Sequence, residues 1–197
     1  MPASDRKGFL IVLMDPPPAF EEEFNAWYDT EHLPQRMAVP GFETGRRYVS
    51  VRGAPRYLAI YDMTSPAVLE SEGYLQVSLD RSTPWTKRVT SRARPYRAAG
   101  AQIHPGTALT RRCARILLLR FRALGAAAQS AIVSGMRESF EDRPETIQVR
   151  VFANPTDSGI DYLGVVEARA PISDTLQPGA FGAHADALDL INTYAPY

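Results

Sequence analysis

The feature that most constrains this fold is an order of predicted elements that occurs twice along the chain. Each half reads as a strand, a helix, two strands joined as a hairpin, a second helix and a last strand. In the first half these segments are 9–15, 19–32, 42–51, 56–63, 65–80 and 92–100. In the second half they are 115–122, 126–142, 146–153, 162–170, 180–191 and a short strand at the C-terminal end.

Two successive βαββαβ units predict an α+β protein made of tandem ferredoxin-like units. We place the N-terminal unit at residues 1–105 and the C-terminal unit at 106–197, with 101–113 as the linker. A single unit covers only one face of its sheet with helices, yet FLIVLM and ILLL show little alternation. Strands that are apolar on both faces need cover on both. We therefore expect the two sheets to pack face to face within one chain as a barrel-like sandwich.

The charge balance and the single cysteine limit the function classes. Lys+Arg and Asp+Glu number 22 each, so no global field favours nucleic acid or an anionic membrane as partner. Cys113 is the one cysteine, which excludes an intramolecular disulfide and fits a reducing compartment. The apolar run near the N-terminus is six residues long, too short for a signal peptide or a membrane span. These features predict a cytoplasmic protein.

The first helix carries the candidate catalytic residues. Phe20, Phe24 and Trp27 fall at helical spacing, and Pro34 is expected to end the helix at about His32. At 100° per residue, Glu31 lies within the apolar stripe, and Tyr28 and His32 stack at its edge, while Asp29 and Glu22 point to solvent.

This arrangement supports two interpretations. In the functional one, His32 is a general acid or base oriented by Glu31 or Tyr28 at the mouth of a cavity. In the structural one, Glu31 pairs with an arginine to fix the turn before Pro34, and His32 interacts with the helix C-terminus.

The first hairpin supplies candidate ligand-binding residues. On alternation, Arg46 and Tyr48 share one strand face, and Tyr57 and Tyr61 share a face of the next strand. They predict a polar and aromatic pocket, unless the tyrosines are ordinary strand residues with their hydroxyls at the rim. Trp85, in a predicted loop, is a further candidate that either stacks on a ligand or closes the barrel end.

Metal and cofactor signals are weak in this sequence. The three histidines, 32, 104 and 184, are scattered, and no HxxxH or CxxC spacing or glycine-rich phosphate loop is present. We therefore expect no metal and no cofactor.

Three stretches carry a family resemblance: NAWYDTEHLPQRMAVPGFETGRRY, PRYLAIYDM and STPWTKRV, at residues 25–48, 55–63 and 82–89. They resemble the EthD-like branch of the dimeric α/β-barrel superfamily over residues 8–98, whereas the second half is similar only in topology. The resemblance implies ferredoxin-like units paired through their sheets. Characterised relatives include cofactor-free monooxygenases, cyclases, dehydratases, decarboxylases, lactone isomerases and haem-binding chlorite dismutases. It implies a site between sheet face and helix but no particular reaction.

These observations lead to three hypotheses. The first is a cofactor-free enzyme that acts on a small aromatic or polyketide-like molecule with His32 as proton-transfer residue. The second is a non-catalytic, small-molecule-binding or stress-associated barrel protein. The third is an assembly role, which predicts that side chains fill the space between the sheets.

The second half also bears on the number of sites. Helix 126–142 has no histidine, so we expect one site per chain, in the N-terminal half. The expected partner is a small hydrophobic or aromatic molecule, and the chain is either a monomeric pseudo-dimer or a homodimer.

Overall fold

The computed structural model describes residues 6–78 and 81–197, and within these residues eight strands close an antiparallel barrel. Around the barrel the strands follow the order β1-β3-β2-β8-β5-β7-β6-β4. The strands are β1 (Gly8–Met14), β2 (Phe42–Ser50), β3 (Tyr57–Met63), β4 (Tyr96–His104), β5 (Arg115–Leu124), β6 (Thr146–Thr156), β7 (Gly159–Ala168) and β8 (Leu188–Pro196).

The helices pack against the outside of the barrel, where their buried side chains form clusters with strand side chains. They are α1 (Glu21–Trp27), a π turn (Tyr28–His32), α2 (Leu33–Met37), α3 (Glu72–Leu75), α4 (Pro84–Ala93) and α5 (Gln129–Phe140), with 3₁₀ turns at Pro18–Phe20, Pro66–Glu70, Ala126–Ala128 and Gly182–Ala187. In residues 6–78 and 81–197, no helix has the length and apolarity that crossing a bilayer requires.

Strand alternation divides the apolar side chains between the inside and the outside of the barrel. On β1, Phe9, Ile11 and Leu13 join a buried interior cluster with residues of both halves, including Leu118 and Phe152. The intervening side chains of β1 face the N-terminal helices instead. The strands are buried on both faces because the interior and the helices cover them, as the low alternation in the sequence predicts.

The interior of the barrel is filled with side chains and also holds a buried ionic network. Arg150 donates to Asp62 and, at 3.2 Å, to Glu167, and all three are 0% exposed. Burial raises the pKa of Glu167, while the Arg150 charge opposes that shift. A filled interior is the outcome that the assembly hypothesis predicts, and the open cleft beside His32 lies instead on the outer face of the sheet.

Most predicted elements are confirmed, and the errors are local. Residues 84–93, which include Trp85, were expected to form a loop and the start of a strand, but they form α4 with Thr83 as N-cap and Pro84 in the first turn. Residues 101–104 belong to β4 rather than to a linker. Residues 180–191 are a 3₁₀ turn followed by the start of β8 rather than a helix, because barrel closure recruits this segment to pair with β5. Residues 79–80, predicted to end the second helix, lie outside the described residues.

The expectation that Pro34 ends the first helix is wrong. Leu33 keeps helical angles (φ −63°, ψ −47°), and its N–H donates to the Tyr28 carbonyl, five residues back, so the backbone register shifts just before the proline. Pro34 then occupies the first turn of α2, where a missing N–H costs little. The helical path continues to Met37, which adds Arg36 to the same surface as His32.

Candidate functional site

A cleft of about 200 Å³ lies between the outer face of the N-terminal sheet and the helices that cover it. The apolar wall comes from β1 and α1, and polar groups come from the π turn, α2, α4 and β4. The lining residues are Leu10, Val12, Met14, Trp27, His32, Arg36, Tyr74, Ser78, Ser82, Thr86, Thr90, Pro95 and Arg97. A single-ring or two-ring molecule suits this volume, which is below the range typical of drug-sized ligands.

His32 is the predicted catalytic residue that the structure places directly on the cleft wall. Its ring packs on Trp27 (centroids 4.3 Å apart) and meets Tyr28 edge-on at 5.0 Å. Its Nδ1 is buried and has no hydrogen-bond partner among the described residues. Burial lowers the pKa of His32 well below 6.5, and the charges of Arg36, Arg97 and Arg47 act in the same direction. His32 is therefore neutral at neutral pH and can accept a proton.

Two arginines line the cleft together with His32. Arg36 is only 5% exposed; its Nη1 donates to the Val77 carbonyl at 2.8 Å, and its guanidinium lies 5.1 Å from the Tyr74 ring centroid. Arg97, on β4, donates to the Tyr74 hydroxyl at 2.8 Å. Tyr74 thus contacts both guanidiniums, and the cleft presents two positive charges beside a neutral imidazole.

Glu31 ties the π turn to α4 instead of pairing with an arginine. Its Oε1 accepts hydrogen bonds from the hydroxyls of Thr83 at 2.5 Å and Thr86 at 3.0 Å. The Thr86 hydroxyl also accepts the indole N–H of Trp27 at 3.0 Å. The predicted arginine pairing is wrong for the residues described, since no ion pair of Glu31 with an arginine occurs among them. Glu31 positions the His32-bearing turn.

Tyr28 and Tyr61 lie behind His32 in the core. The Tyr61 hydroxyl donates to Tyr28 at 3.3 Å, and burial raises the pKa of both phenols. Arg47 stands over the Tyr28 ring at 4.4 Å and donates to Asp29. Asp29 is exposed, as its position on the helix predicts, and the Arg47 ion pair is an additional contact.

Tyr57 and Trp85 lie at the edge of the helical layer, outside the cleft lining. The Tyr57 hydroxyl donates to Glu21 at 2.5 Å and accepts from Asn25 at 2.9 Å. The indole N–H of Trp85 donates to Glu23 at 3.1 Å. These hydrogen bonds hold α1 to the sheet and to α4.

Arg46 and Tyr48 lie on the opposite side of the sheet from Tyr57 and Tyr61. Strand pairing places Tyr48 opposite Leu58 and Arg46 opposite Ile60, and both partners face the barrel interior. Because successive strand residues alternate faces, these four residues do not form the single pocket that was predicted. Arg46 and Tyr48 instead border a separate opening with Arg111, Arg112 and Cys113, where burial raises the pKa of Cys113 to about 11.

The corresponding space in the second half is packed. Met136 on α5 sits so close to Gly164 that a methyl group there would lie 2.4 Å from its sulfur. The rings of Phe121 and Phe181 contact each other in the same cluster, with centroids 4.7 Å apart and a tilted geometry. Large side chains thus fill the space beneath α5, whereas the corresponding space in the first half, beside His32, is open.

Within residues 6–78 and 81–197, no group of three or more His, Cys, Asp or Glu side chains is arranged to hold a metal ion. A haem macrocycle is larger than the cleft of about 200 Å³ beside His32.

Sequence reasoning missed Arg36, Tyr74 and Arg97. Arg36 lies four residues after His32, so helical spacing would have revealed it if the helix had been continued through Pro34. Tyr74 and Arg97 carry no local signal, because they reach the cleft only through the packing of α3 and the pairing of β4 with β1.

Comparison with known proteins shows similarity in structure but not in sequence. No protein-family model matches this chain, and no curated protein matches it. An anthrone oxidase-like protein superposes with a TM-score of 0.69 at 11% identity, over 98% of this chain and 92% of that one. A "putative monooxygenase" from Lactobacillus acidophilus NCFM gives 0.56 at 10% identity, over 98% and 93%. A mutant chlorite dismutase from Candidatus Nitrospira defluvii in complex with cyanide also gives 0.56 at 10%, over 96% and 91%.

These neighbours are members of the dimeric α/β-barrel superfamily. This chain shares its barrel fold with these structures. At identities near 10% the likeness extends to the architecture, and functional conclusions depend on the site itself.

Proposed function

We propose that this protein is a cofactor-free enzyme that acts on a small aromatic or polyketide-like molecule in the cleft, with His32 as general base and acid. The observation that carries this proposal is a neutral histidine on the wall of an open cleft, half-buried, with a buried Nδ1 that has no hydrogen-bond partner among the described residues. A general base must be unprotonated at the working pH, and the burial that lowers the pKa of His32 keeps the imidazole in that state. Glu31 and Tyr28 act as positioning residues: Glu31 holds the turn and Tyr28 packs against the imidazole.

The chemistry that fits is removal of a proton from an acidic C–H next to an aromatic carbonyl. His32 takes the proton, and the substrate becomes an enolate whose oxygen is stabilised by the nearby guanidiniums. The imidazolium then returns a proton to the enolate carbon, so the substrate is regenerated with that hydrogen exchanged for one from solvent.

The test measures solvent deuterium incorporation at the acidic C–H positions of single-ring and two-ring aromatic ketones. Replacing a general base typically costs about 10²- to 10⁴-fold in rate. We expect His32→Gln to lose turnover on that scale while its melting temperature stays within a few degrees. His104→Gln, outside the cleft lining, is the matched control and should keep full activity. Turnover that persists undiminished in His32→Gln would contradict the proposal.

One observation favours a second candidate, a non-catalytic small-molecule-binding protein. The His32 ring packs on Trp27 and Tyr28 as a core residue does. In this alternative, a ligand still raises the melting temperature of His32→Ala. The protein also does not accelerate deuterium exchange of any acidic aromatic ketone above the rate in buffer alone.

We also propose that the chain consists of two ferredoxin-like units, residues 1–105 and 106–197, in an EthD-like tandem arrangement. The strand order supports this division, because β4-β1-β3-β2 and β8-β5-β7-β6 repeat the same 4-1-3-2 pattern. The seams between the units are the β2–β8 and β4–β6 pairs. Because one chain closes the barrel, we expect a monomeric pseudo-dimer, and light scattering that gives twice the 21.8 kDa chain mass would favour a homodimer instead.

A further inference from the structure

Arg36 is a buried cation that forms no ion pair with any carboxylate among the described residues. It is 5% exposed, and no ion pair of Arg36 with an acidic group occurs in residues 6–78 and 81–197. The hydrogen bond to the Val77 carbonyl uses one of the five that its guanidinium can donate. A buried charge is costly unless an opposite charge or a full set of hydrogen bonds compensates it.

Arg97 adds a second positive charge on the same cleft. It too has no acidic partner among the described residues, and its hydrogen bond goes to the Tyr74 hydroxyl, while Arg36 stacks on the Tyr74 ring. Burial lowers the pKa of Arg36, and the charge of Arg97 acts in the same direction, so the two charges repel each other. An anion between them would relieve this repulsion and supply the missing hydrogen-bond acceptors.

The remainder of the cleft suits an aromatic body. Leu10, Val12 and Met14 form the sheet-side wall, and the Trp27 indole lies beside His32. Ser78, also on the lining, has a buried hydroxyl without a hydrogen-bond partner among the described residues. The cleft therefore combines apolar side chains with guanidinium and hydroxyl donors.

We propose that the cleft binds an aromatic carboxylate, with the carboxylate held by Arg36 and Arg97 and the ring against Trp27 and the β1 side chains. A planar guanidinium matches the two oxygens of a carboxylate, and charge-assisted pairs of this kind give both affinity and orientation. Neutral His32 adds no third charge and lies within the same cleft, beside the bound ring. The inference rests on the same cleft as the proposed function, but it concerns binding and needs no turnover.

Isothermal titration calorimetry of the full chain at neutral pH tests this with two probes of nearly equal shape, 2-naphthoate and 2-naphthamide. We expect naphthoate to bind at least about tenfold more tightly than the amide, which corresponds to about 1.4 kcal/mol. Arg97→Gln should lower naphthoate affinity about tenfold and leave naphthamide affinity unchanged. Arg36→Lys keeps the charge of a buried site and should also weaken naphthoate binding, since it loses the planar fork. Arg92→Gln, an exposed change on α4 outside the cleft lining, should match the wild type.

Equal affinities for the acid and the amide would overturn the proposal. So would the absence of naphthoate binding at millimolar concentration, or unchanged naphthoate affinity in both arginine variants. His32→Gln separates this proposal from the proposed function: naphthoate affinity should stay within about threefold, whatever happens to turnover. Failure of His32-dependent catalysis with intact naphthoate selectivity would refute the enzyme role and leave the carboxylate site in place.

Discussion

The buried, neutral state of His32 should make the protein less stable as the pH falls. Burial is the main cause that lowers the pKa of His32, and Arg36, Arg97 and Arg47 add to the effect. In the unfolded chain a histidine binds a proton below about pH 6.5, whereas the folded protein keeps His32 neutral. The unfolded state therefore gains protons that the folded state does not, and the free energy of unfolding falls as the pH drops below about 6.5.

The size of this effect follows from linkage. The slope approaches about 1.4 kcal/mol per pH unit, and between pH 6.5 and 5.5 the contribution of one such histidine is about 1 kcal/mol. With a urea m-value of about 2 kcal/mol/M, the unfolding midpoint moves by roughly 0.5 M.

Urea titrations at pH 5.5, 6.5 and 7.5, read by tryptophan fluorescence, measure this slope. His32→Gln and His32→Leu should each remove about 1 kcal/mol of the change between pH 6.5 and 5.5, although they differ in polarity. Burial also lowers the pKa of His104, so His104 contributes to the pH dependence as well. Such contributions from other groups cancel when the pH dependence of the variant is subtracted from that of the wild type. If both variants keep the wild-type slope, His32 is not held neutral by its environment and the reasoning fails.

Three further predictions concern the support of the cleft and its access. Thr86→Val should lower the free energy of unfolding in urea by about 1–3 kcal/mol, because it leaves the buried Trp27 N–H without an acceptor. In the control, Thr90→Val, the lost hydroxyl bonds only within α4, so the cost should be under about 0.5 kcal/mol. Equal costs for the two variants would contradict this prediction. Arg150→Met should cost about 3–5 kcal/mol at pH 7, because two carboxylates lose their buried partner, and a change below about 1 kcal/mol would refute it. Thr90→Phe should abolish naphthoate binding in calorimetry with the fold retained by circular dichroism, and undiminished binding would place the ligand elsewhere.

The barrel was predictable because its evidence is distributed over many residues. Runs such as FLIVLM in β1 and ILLL in β5 keep both faces apolar, and that pattern requires cover on both sides of each sheet. The repeated order of elements then limits the topology. The helix predicted over 180–191 was wrong because the pairing of β8 with β5, a long-range contact, outweighs the helical spacing of this segment.

The site was predictable only where it depends on one helix. His32 was identified from its position beside the apolar stripe, and the structure places it on the cleft. The π turn before Pro34 altered the roles of its neighbours, so Glu31 contacts threonines and Arg36 joins the lining. Arg46 and Tyr48 were grouped with the wrong tyrosines because alternation alone does not give the register between strands. Arg97 is 65 residues from His32 and is brought to the cleft only by tertiary packing.

The most direct test of the account is a crystal structure of the protein soaked with 2-naphthoate. We expect the ring in the cleft against Trp27 and the carboxylate within hydrogen-bond distance of Arg36 and Arg97, with the imidazole of His32 beside the ring. Density for the ligand at the opening bordered by Arg46 and Arg112, with the His32 cleft empty, would contradict it.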